Sequence, residues 1–291
     1  MVRSLAMAVA SAVLAAALTV APTGAAALTP TPRQRLHSVR SWAFAIGDGA
    51  LARVLRRNAA RFGLVIVDGE EVTPAQVALL HKRGQLVIGY LSVGTIEAGR
   101  WWYPRVKPYR LDLWDEWDEW YANVNAPGYR AVIATRVVPW MLRKGLDGLF
   151  LDSTDSIESH PLQTAGMRHL VATIAATVHA RGCCLLTQNG DTTVLPMLSR
   201  FDGWNREDVT WTWDFEYERY VRVAPADHAR ALAALKLVRS RGLVTFATDY
   251  TPSAGSLPER WSVAAARSAA ALPYVSDVGL ARVPAQVFPR P

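Results

Sequence analysis

The 291-residue sequence has two cysteines, side by side at Cys183 and Cys184. This excludes a disulfide-stapled scaffold and, with no other ligand at zinc spacing, a cysteine-rich zinc site. Adjacent cysteines rarely bridge each other because the ring is strained, so both read as core residues. Lysine is scarce. Lys82, Lys107, Lys144 and Lys236 all fall in expected helices or loops, which leaves a Schiff-base mechanism poorly supported. The histidines (37, 81, 160, 169, 179 and 228) mostly fall there too and none ends a strand, so no catalytic metal is expected. A Gly-x-Ser-x-Gly elbow is missing, which disfavours a serine hydrolase. No Gly-x-Gly-x-x-Gly follows the first strand, which disfavours a dinucleotide fold. There is no internal repeat, and no apolar run of membrane-spanning length follows residue 27.

What is there is globular: 51% hydrophobic residues and 11 tryptophans. The net charge of +7 is carried mostly by dispersed arginines. Without a dense basic block interleaved with aromatics, no nucleic-acid partner is expected. Arg3, an Ala-rich apolar stretch over residues 5–20 and Ala25-Ala26-Ala27 read as a secretory signal over residues 1–27. A Pro-rich lead follows over 28–40, then one domain over 41–291, so the mature protein is expected to be secreted.

From residue 41 onward a rhythm recurs: a short apolar run ends in a polar residue, then comes helical periodicity, then another apolar run. Runs at 41–46, 64–67, 86–93, 121–124, 148–151, 184–187, 201–205 and 243–248 predict eight strands. Thr73-Pro74 opens one intervening helix and Gly84 closes it. Strands alternating with helices imply a parallel sheet. Eight such units in this length predict an α/β fold, a single-domain (β/α)8 TIM barrel.

Such a barrel builds its site at the C-terminal strand ends. The polar residues there are Asp68, Tyr90, Ser92, Asp152, Gln188, Asn189, Glu207, Asp249 and Tyr250. Carboxylates beside Trp and Tyr in one cleft suit carbohydrate. Aromatic faces stack on sugar rings, carboxylates and amides bind hydroxyls, and two carboxylates carry the chemistry. Trp101 and Trp102 follow the third strand end and are expected in the cleft. Trp114, Trp117 and Trp120, at three-residue spacing, fit either a cleft wall or one packed helical face.

Several segments together resemble the endo-α-1,4-polygalactosaminidase family, glycoside hydrolase family 114, and its bacterial relatives. They are Gly89-Tyr90-Leu91-Ser92-Val93-Gly94-Thr95-Ile96-Glu97 with Arg100 and Trp102, and residues 145–155 with their Gly-x-Asp-Gly-x-x-x-Asp pattern. Gln188-Asn189-Gly190, residues 202–208 and Asp249-Tyr250 match in order. The resemblance implies a barrel glycosidase acting inside a galactosamine-containing α-linked polymer, with Asp152 and Glu207 as the catalytic pair. Asn205-Arg206 depart from the family pattern, where more apolar residues are expected before the glutamate.

The expected roles are Asp152 as nucleophile and Glu207 as acid/base, or the reverse, with Asp152 ending the fifth strand and Glu207 the seventh. Trp204 or Trp213 is expected to raise the acid's pKa by desolvation. The expected substrate-binding residues are Asp68, Tyr90, Ser92, Glu97, Arg100, Trp102, Asp155, Gln188, Asn189, Asp249 and Tyr250. The expected protein is a monomer with a polysaccharide substrate, no cofactor, no metal and no membrane span. Two other readings stay open on the residues alone: a secreted carbohydrate-binding barrel without turnover, and a glycosidase for a different polysaccharide, because fold does not dictate chemistry.

Overall fold

The computed structural model describes residues 30–56 and 62–284. The expected signal peptide lies outside the described residues, as do residues 57–61 at the end of the first expected helix. Eight strands run parallel in one sheet: β1 (Trp42–Ala45), β2 (Leu64–Asp68), β3 (Leu86–Ser92), β4 (Gly148–Asp152), β5 (Cys184–Gln188), β6 (Gly203–Glu207), β7 (Val244–Tyr250) and β8 (Leu272–Ser276). They are almost wholly buried apolar runs, as strands covered on both faces must be. Their spatial order is their sequence order, so every crossover is local and the sheet curls into a barrel.

The strand count was legible, but two assignments change. Residues 121–124 are not a barrel strand: Glu119–Ala122 pairs antiparallel with Arg110–Trp114 and Thr95–Ile96 in a separate small sheet. The eighth barrel strand is instead Leu272–Ser276, masked in the sequence by Pro273. Asp152 therefore ends β4 rather than a fifth strand, Glu207 ends β6 rather than a seventh, and Asp249-Tyr250 end β7 rather than an eighth. Asp152 and Glu207 still stand two strands apart, with β5 between them.

Proline is tolerated in β8 because that strand forms a backbone ladder on one side only, with β7. The seam between β8 and β1 is closed by side chains. Trp42 Nε1 donates to the Leu272 carbonyl at 2.9 Å, and the Tyr274 hydroxyl donates to the Phe44 carbonyl at 3.0 Å. Trp42, Phe44, Phe246 and Tyr274 pack ring to ring behind that seam. They plug the barrel and floor the space above it.

The lead is not featureless. Pro32–Leu36 is a short helix with a Thr31/Gln34 capping box, and Arg33 Nε reaches Asp202 Oδ1 at 2.6 Å. On the crossover from β3 to β4, the helical run from Pro127 to Leu142 takes a π turn over Ile133–Val137. Pro139 forces it, lacking an N–H and crowding the carbonyl four residues back. Cys183 and Cys184 are both buried and unpaired. No helix among the described residues is long and apolar enough to cross a membrane.

Replacing Trp42 by Phe keeps the packing and strands the buried Leu272 carbonyl. The expected cost is about 1–3 kcal/mol, read as a lower urea midpoint at unchanged slope. An unchanged midpoint would mean that ring packing alone closes the barrel.

Candidate active site

A cavity of about 450 Å³ opens at the C-terminal ends of the strands. Phe44 and Tyr90 form part of its floor and Leu280 part of its wall. Glu119, Asp152, Asp155, Glu207 and Asp208 face into it, and among the described residues no lysine, arginine or histidine lines it. Burial favours the neutral carboxyl, so these groups titrate high, with the Arg206 charge drawing Asp155 and Asp208 part of the way back.

Strand register brings the polar groups together. Ser92 of β3 is level with Asp152 of β4, so Tyr90, two residues earlier, shares that face. The Tyr90 hydroxyl donates to Asp152 Oδ2 at 2.5 Å. Asp152 Oδ1 accepts from the Ser153 amide and from Gln188 Nε2, each at 2.6 Å. Burial raises the Asp152 pKa, while these three donors pull it back toward the ionised form. On the far side, Thr248 of β7 is level with Glu207, and Tyr250 lies two residues beyond it on the same face. The Tyr250 hydroxyl donates to Glu207 Oε1. Asn189 brackets Glu207, its Nδ2 donating to Oε2 at 2.8 Å while its Oδ1 accepts the Glu207 amide at 3.0 Å. Burial, then the nearby Asp152 charge, pushes the Glu207 pKa up to about 8. Environment thus separates two carboxyls: Asp152 has three donors to its charge, and Glu207 is held protonated near neutrality.

Three of these strands end alike. The residue after Asp152, after Gln188 and after Glu207 is non-glycine in the left-handed region: Ser153 at φ 55°, Asn189 at φ 54° and Asp208 at φ 53°. Such residues are uncommon, and they gather where backbone geometry serves a site. Gly94 permits the first of these turns, since a Cβ there would sit 1.9 Å from the Ser153 carbonyl oxygen. Trp204 is fully buried and donates Nε1 to the Asn189 carbonyl at 2.8 Å, holding the second.

Of the residues expected at the site, Tyr90, Asp152, Asp155, Gln188, Asn189, Glu207 and Tyr250 line the cavity. The others do not. Asp68, Glu97 and Arg100 form an ion cluster of their own. Arg100 grips Glu97 through Nε and Nη2 at 2.7 and 2.8 Å, and Asp68 Oδ2 through Nη1 at 2.8 Å. Asp68 is occupied further by the Glu70 and Glu71 amides. Trp102 is buried edge-on against Trp101, outside the cavity. Ser92 lies beneath it, between Thr95 Oγ1 at 2.5 Å and Ser153 Oγ at 3.0 Å. Asp249 turns to the backbone, accepting the Val209 and Thr210 amides at 2.7 and 2.9 Å, so it anchors the loop after β6.

The cavity's other polar and aromatic walls come from two hairpins that the barrel pattern did not disclose. One pairs Arg110–Trp114 with Glu119–Ala122 and contributes Trp114, Trp117 and Glu119. Thr95 donates to Glu119, whose pKa burial pushes up to about 7. The other pairs Trp211–Asp214 with Arg219–Arg222 and contributes Thr212, Trp213 and Phe215. Period-two alternation in the first strand of each, Arg110–Trp114 and Trp211–Asp214, was the available signal. The Trp117 and Phe215 rings meet edge to face, 5.6 Å apart, an attraction of about 0.5–1.5 kcal/mol. His160, 2.7 Å from Asp112 and ring to ring with Tyr121, latches the first hairpin to the loop after β4.

Asp155 gives a direct check on the cavity's charge. Burial, then Asp152, raises its pKa to about 7. Between the unfolded value of about 3.9 and that of the native state, the native form binds the extra proton. Its ionisation therefore costs stability progressively as pH rises through the window. Asp155→Asn should gain stability over wild type by about 1–4 kcal/mol more at pH 8 than at pH 4. Urea titrations at both pH values measure this, and a pH-independent difference would contradict it.

Similarity to known proteins converges on the same barrel. The glycoside hydrolase domain of PelA from Pseudomonas aeruginosa superposes with a TM-score of 0.71 at 25% identity, covering 84% of this chain and 97% of that one. Ega3 of Aspergillus fumigatus, in a crystal structure with galactosamine, superposes at 0.65 and 18% identity over 83% of this chain and 92% of its own. An uncharacterised protein of Deinococcus radiodurans is 24% identical over 269 residues, which is 86% of this chain and 84% of that protein. Residues 19–287 match the family described as Glycoside-hydrolase family GH114. With eight parallel strands, a carboxylate-lined mouth and a match over nearly its whole length, the chain belongs to glycoside hydrolase family 114.

Proposed function

We propose that this glycoside hydrolase is secreted and cuts inside an α-1,4-linked, galactosamine-containing polysaccharide, using Asp152 and Glu207. One observation carries the substrate class: among the described residues five carboxylates and no basic side chain line the cavity. A protonated amino sugar supplies the missing positive charge, and its arrival favours the ionised forms of Glu119, Asp155 and Asp208. Trp114 and Trp213 offer apolar faces to the sugar rings. The family and the galactosamine-bound Aspergillus neighbour support the same class. The N-terminal pattern of Arg3, the apolar stretch over 5–20 and Ala25-Ala26-Ala27 supports secretion.

In this mechanism Glu207, protonated at neutral pH, gives its proton to the glycosidic oxygen as the bond breaks. Asp152, kept toward its charged form by Tyr90, Gln188 and the Ser153 amide, attacks the anomeric carbon. Glu207, now ionised, takes a proton from the water that releases the sugar, so configuration is retained. Gln188, Asn189, Tyr90 and Tyr250 act chiefly by holding the two carboxyls.

Mass spectrometry should detect oligosaccharides released by the wild type from partly de-N-acetylated α-1,4-galactosaminogalactan. Asp152→Asn and Glu207→Gln should each lose about 10²–10⁴-fold in rate. Undiminished hydrolysis by both variants would remove them from the chemistry. Fully N-acetylated polymer should react about tenfold slower or worse, the loss of one charge-assisted contact. Equal rates would overturn the cationic substrate.

A pH profile tests the proton donor. The alkaline limb of kcat/KM should fall near pH 8, where Glu207 loses its proton. The Tyr250 hydroxyl favours ionised Glu207, so Tyr250→Phe should move that limb to higher pH. A limb that moves down, or stays, would contradict the assignment.

A further inference from the structure

The two hairpins flanking the cavity reach toward each other from opposite sides of the barrel mouth. The first follows β3 and the second follows β6. Trp117 stands at the tip of one, in the turn Asp115–Trp117 closed by left-handed Asp118. Phe215 stands at the tip of the other, where Asp214 Oδ1 accepts the Glu216 and Tyr217 amides at 3.1 Å each. The rings touch at 5.6 Å and 69°, and both also line the cavity. Each keeps a large exposed area, 47% for Trp117 and 43% for Phe215, so the contact is a thin span rather than part of the core.

The bases of the two tips are fixed. Trp114 stacks on Tyr121, which packs on His160, and Asp112 pairs with His160. Trp213 packs against Tyr220, and Asp249 pins the backbone at Val209 and Thr210. Fixed bases joined, among the described residues, by one ring-on-ring contact make a bridge that parts at one point. A second cavity adjoins the first at Asp155 and Asn189. It holds about 300 Å³ and is lined besides by Glu158, Asp191, Arg206 and Arg230.

We propose that Trp117 and Phe215 are specificity-determining residues that roof the cleft and turn it into a passage for a single unbranched glycan strand. A chain end slides in beneath the closed bridge. An internal segment enters only when the two rings part, and is retained when they meet again. This inference rests on the glycosidase reading above and adds how the polymer enters and stays.

The test places thiols at both tips, Trp117→Cys with Phe215→Cys, and joins them with a short bis-maleimide. The native thiols do not compete, since Cys183 and Cys184 are buried. The control is the same double variant capped with N-ethylmaleimide. Substrates are long, partly de-N-acetylated α-1,4-galactosaminogalactan and short oligosaccharides prepared from it. The crosslinked enzyme should lose at least about tenfold on the polymer relative to the capped control, a ~1.4 kcal/mol effect, and keep its rate on the oligosaccharides. Trp117→Ala with Phe215→Ala should cut both substrates and release fewer short products per polymer chain attacked. A crosslink that leaves the polymer-to-oligosaccharide ratio unchanged, whether both rates hold or both fall, overturns the roof. So does an alanine double variant with wild-type product lengths. A wild type that cleaves neither substrate instead refutes the glycosidase reading on which the roof rests.

Discussion

Everything at the mouth of this barrel turns on carboxyl groups taken out of water with no cation, among the described residues, lining their cavity. Two acidic clusters of the chain show the contrast. Asp68, Glu70 and Glu97 surround Arg100, which neutralises part of their charge and satisfies their oxygens. Asp152, Glu207 and Glu119 line a cavity with Asp155 and Asp208 and take hydrogen bonds from neutral donors: tyrosine hydroxyls, side-chain amides, a threonine and a backbone N–H. Neutral donors orient a carboxylate but cannot cancel its desolvation. The first cluster is a finished structural unit. The second is strained toward protonation, which is the condition a proton donor needs, and it is relieved by any positive charge that enters.

The scaffold maintains this condition by rigid means. Ring packing of Trp42, Phe44, Phe150 and Tyr90 floors the cavity. Left-handed residues after β4, β5 and β6 aim their neighbours inward. Two hairpins wall the site, each fastened by a polar contact at its base: an exposed one of His160 with Asp112, and a buried one of Asp249 with the Val209 and Thr210 amides. Such over-determined surroundings allow the carboxyls to remain where solvation alone would not keep them.

How far this was legible in the sequence follows from what local pattern encodes. Buried parallel strands read as apolar runs, so the fold class and the polar residues at the ends of β3 to β7 could be named from residue order alone. Pro273 hid β8, because a proline argues against an interior strand and nothing local reveals that one side of it lacks a ladder. Tyr121–Val124 passed for a barrel strand because an apolar run does not say which sheet it joins. Arg100, Glu97 and Asp68 are brought together by charge pairing outside the cavity, and Asp249 is claimed by backbone amides. Strand-end position says where a carboxylate starts, not which partner takes it. Glu119, Trp114, Trp117, Trp213 and Phe215 reach the site through hairpin docking: alternation hints at the strands, but nothing local says where the hairpins dock.

The most direct test of this account is the protonation state of Glu207 itself. Carbon-13 labelling of the glutamate side-chain carboxyls, with Glu207→Gln as the subtraction control, isolates its resonance through a pH titration. The account predicts a carboxyl protonated at pH 7, with a midpoint near 8. A midpoint in the ordinary glutamate range, about 4.3, would mean that the cavity solvates its carboxylates after all, and both the proton donor and the demand for a cationic sugar would fall.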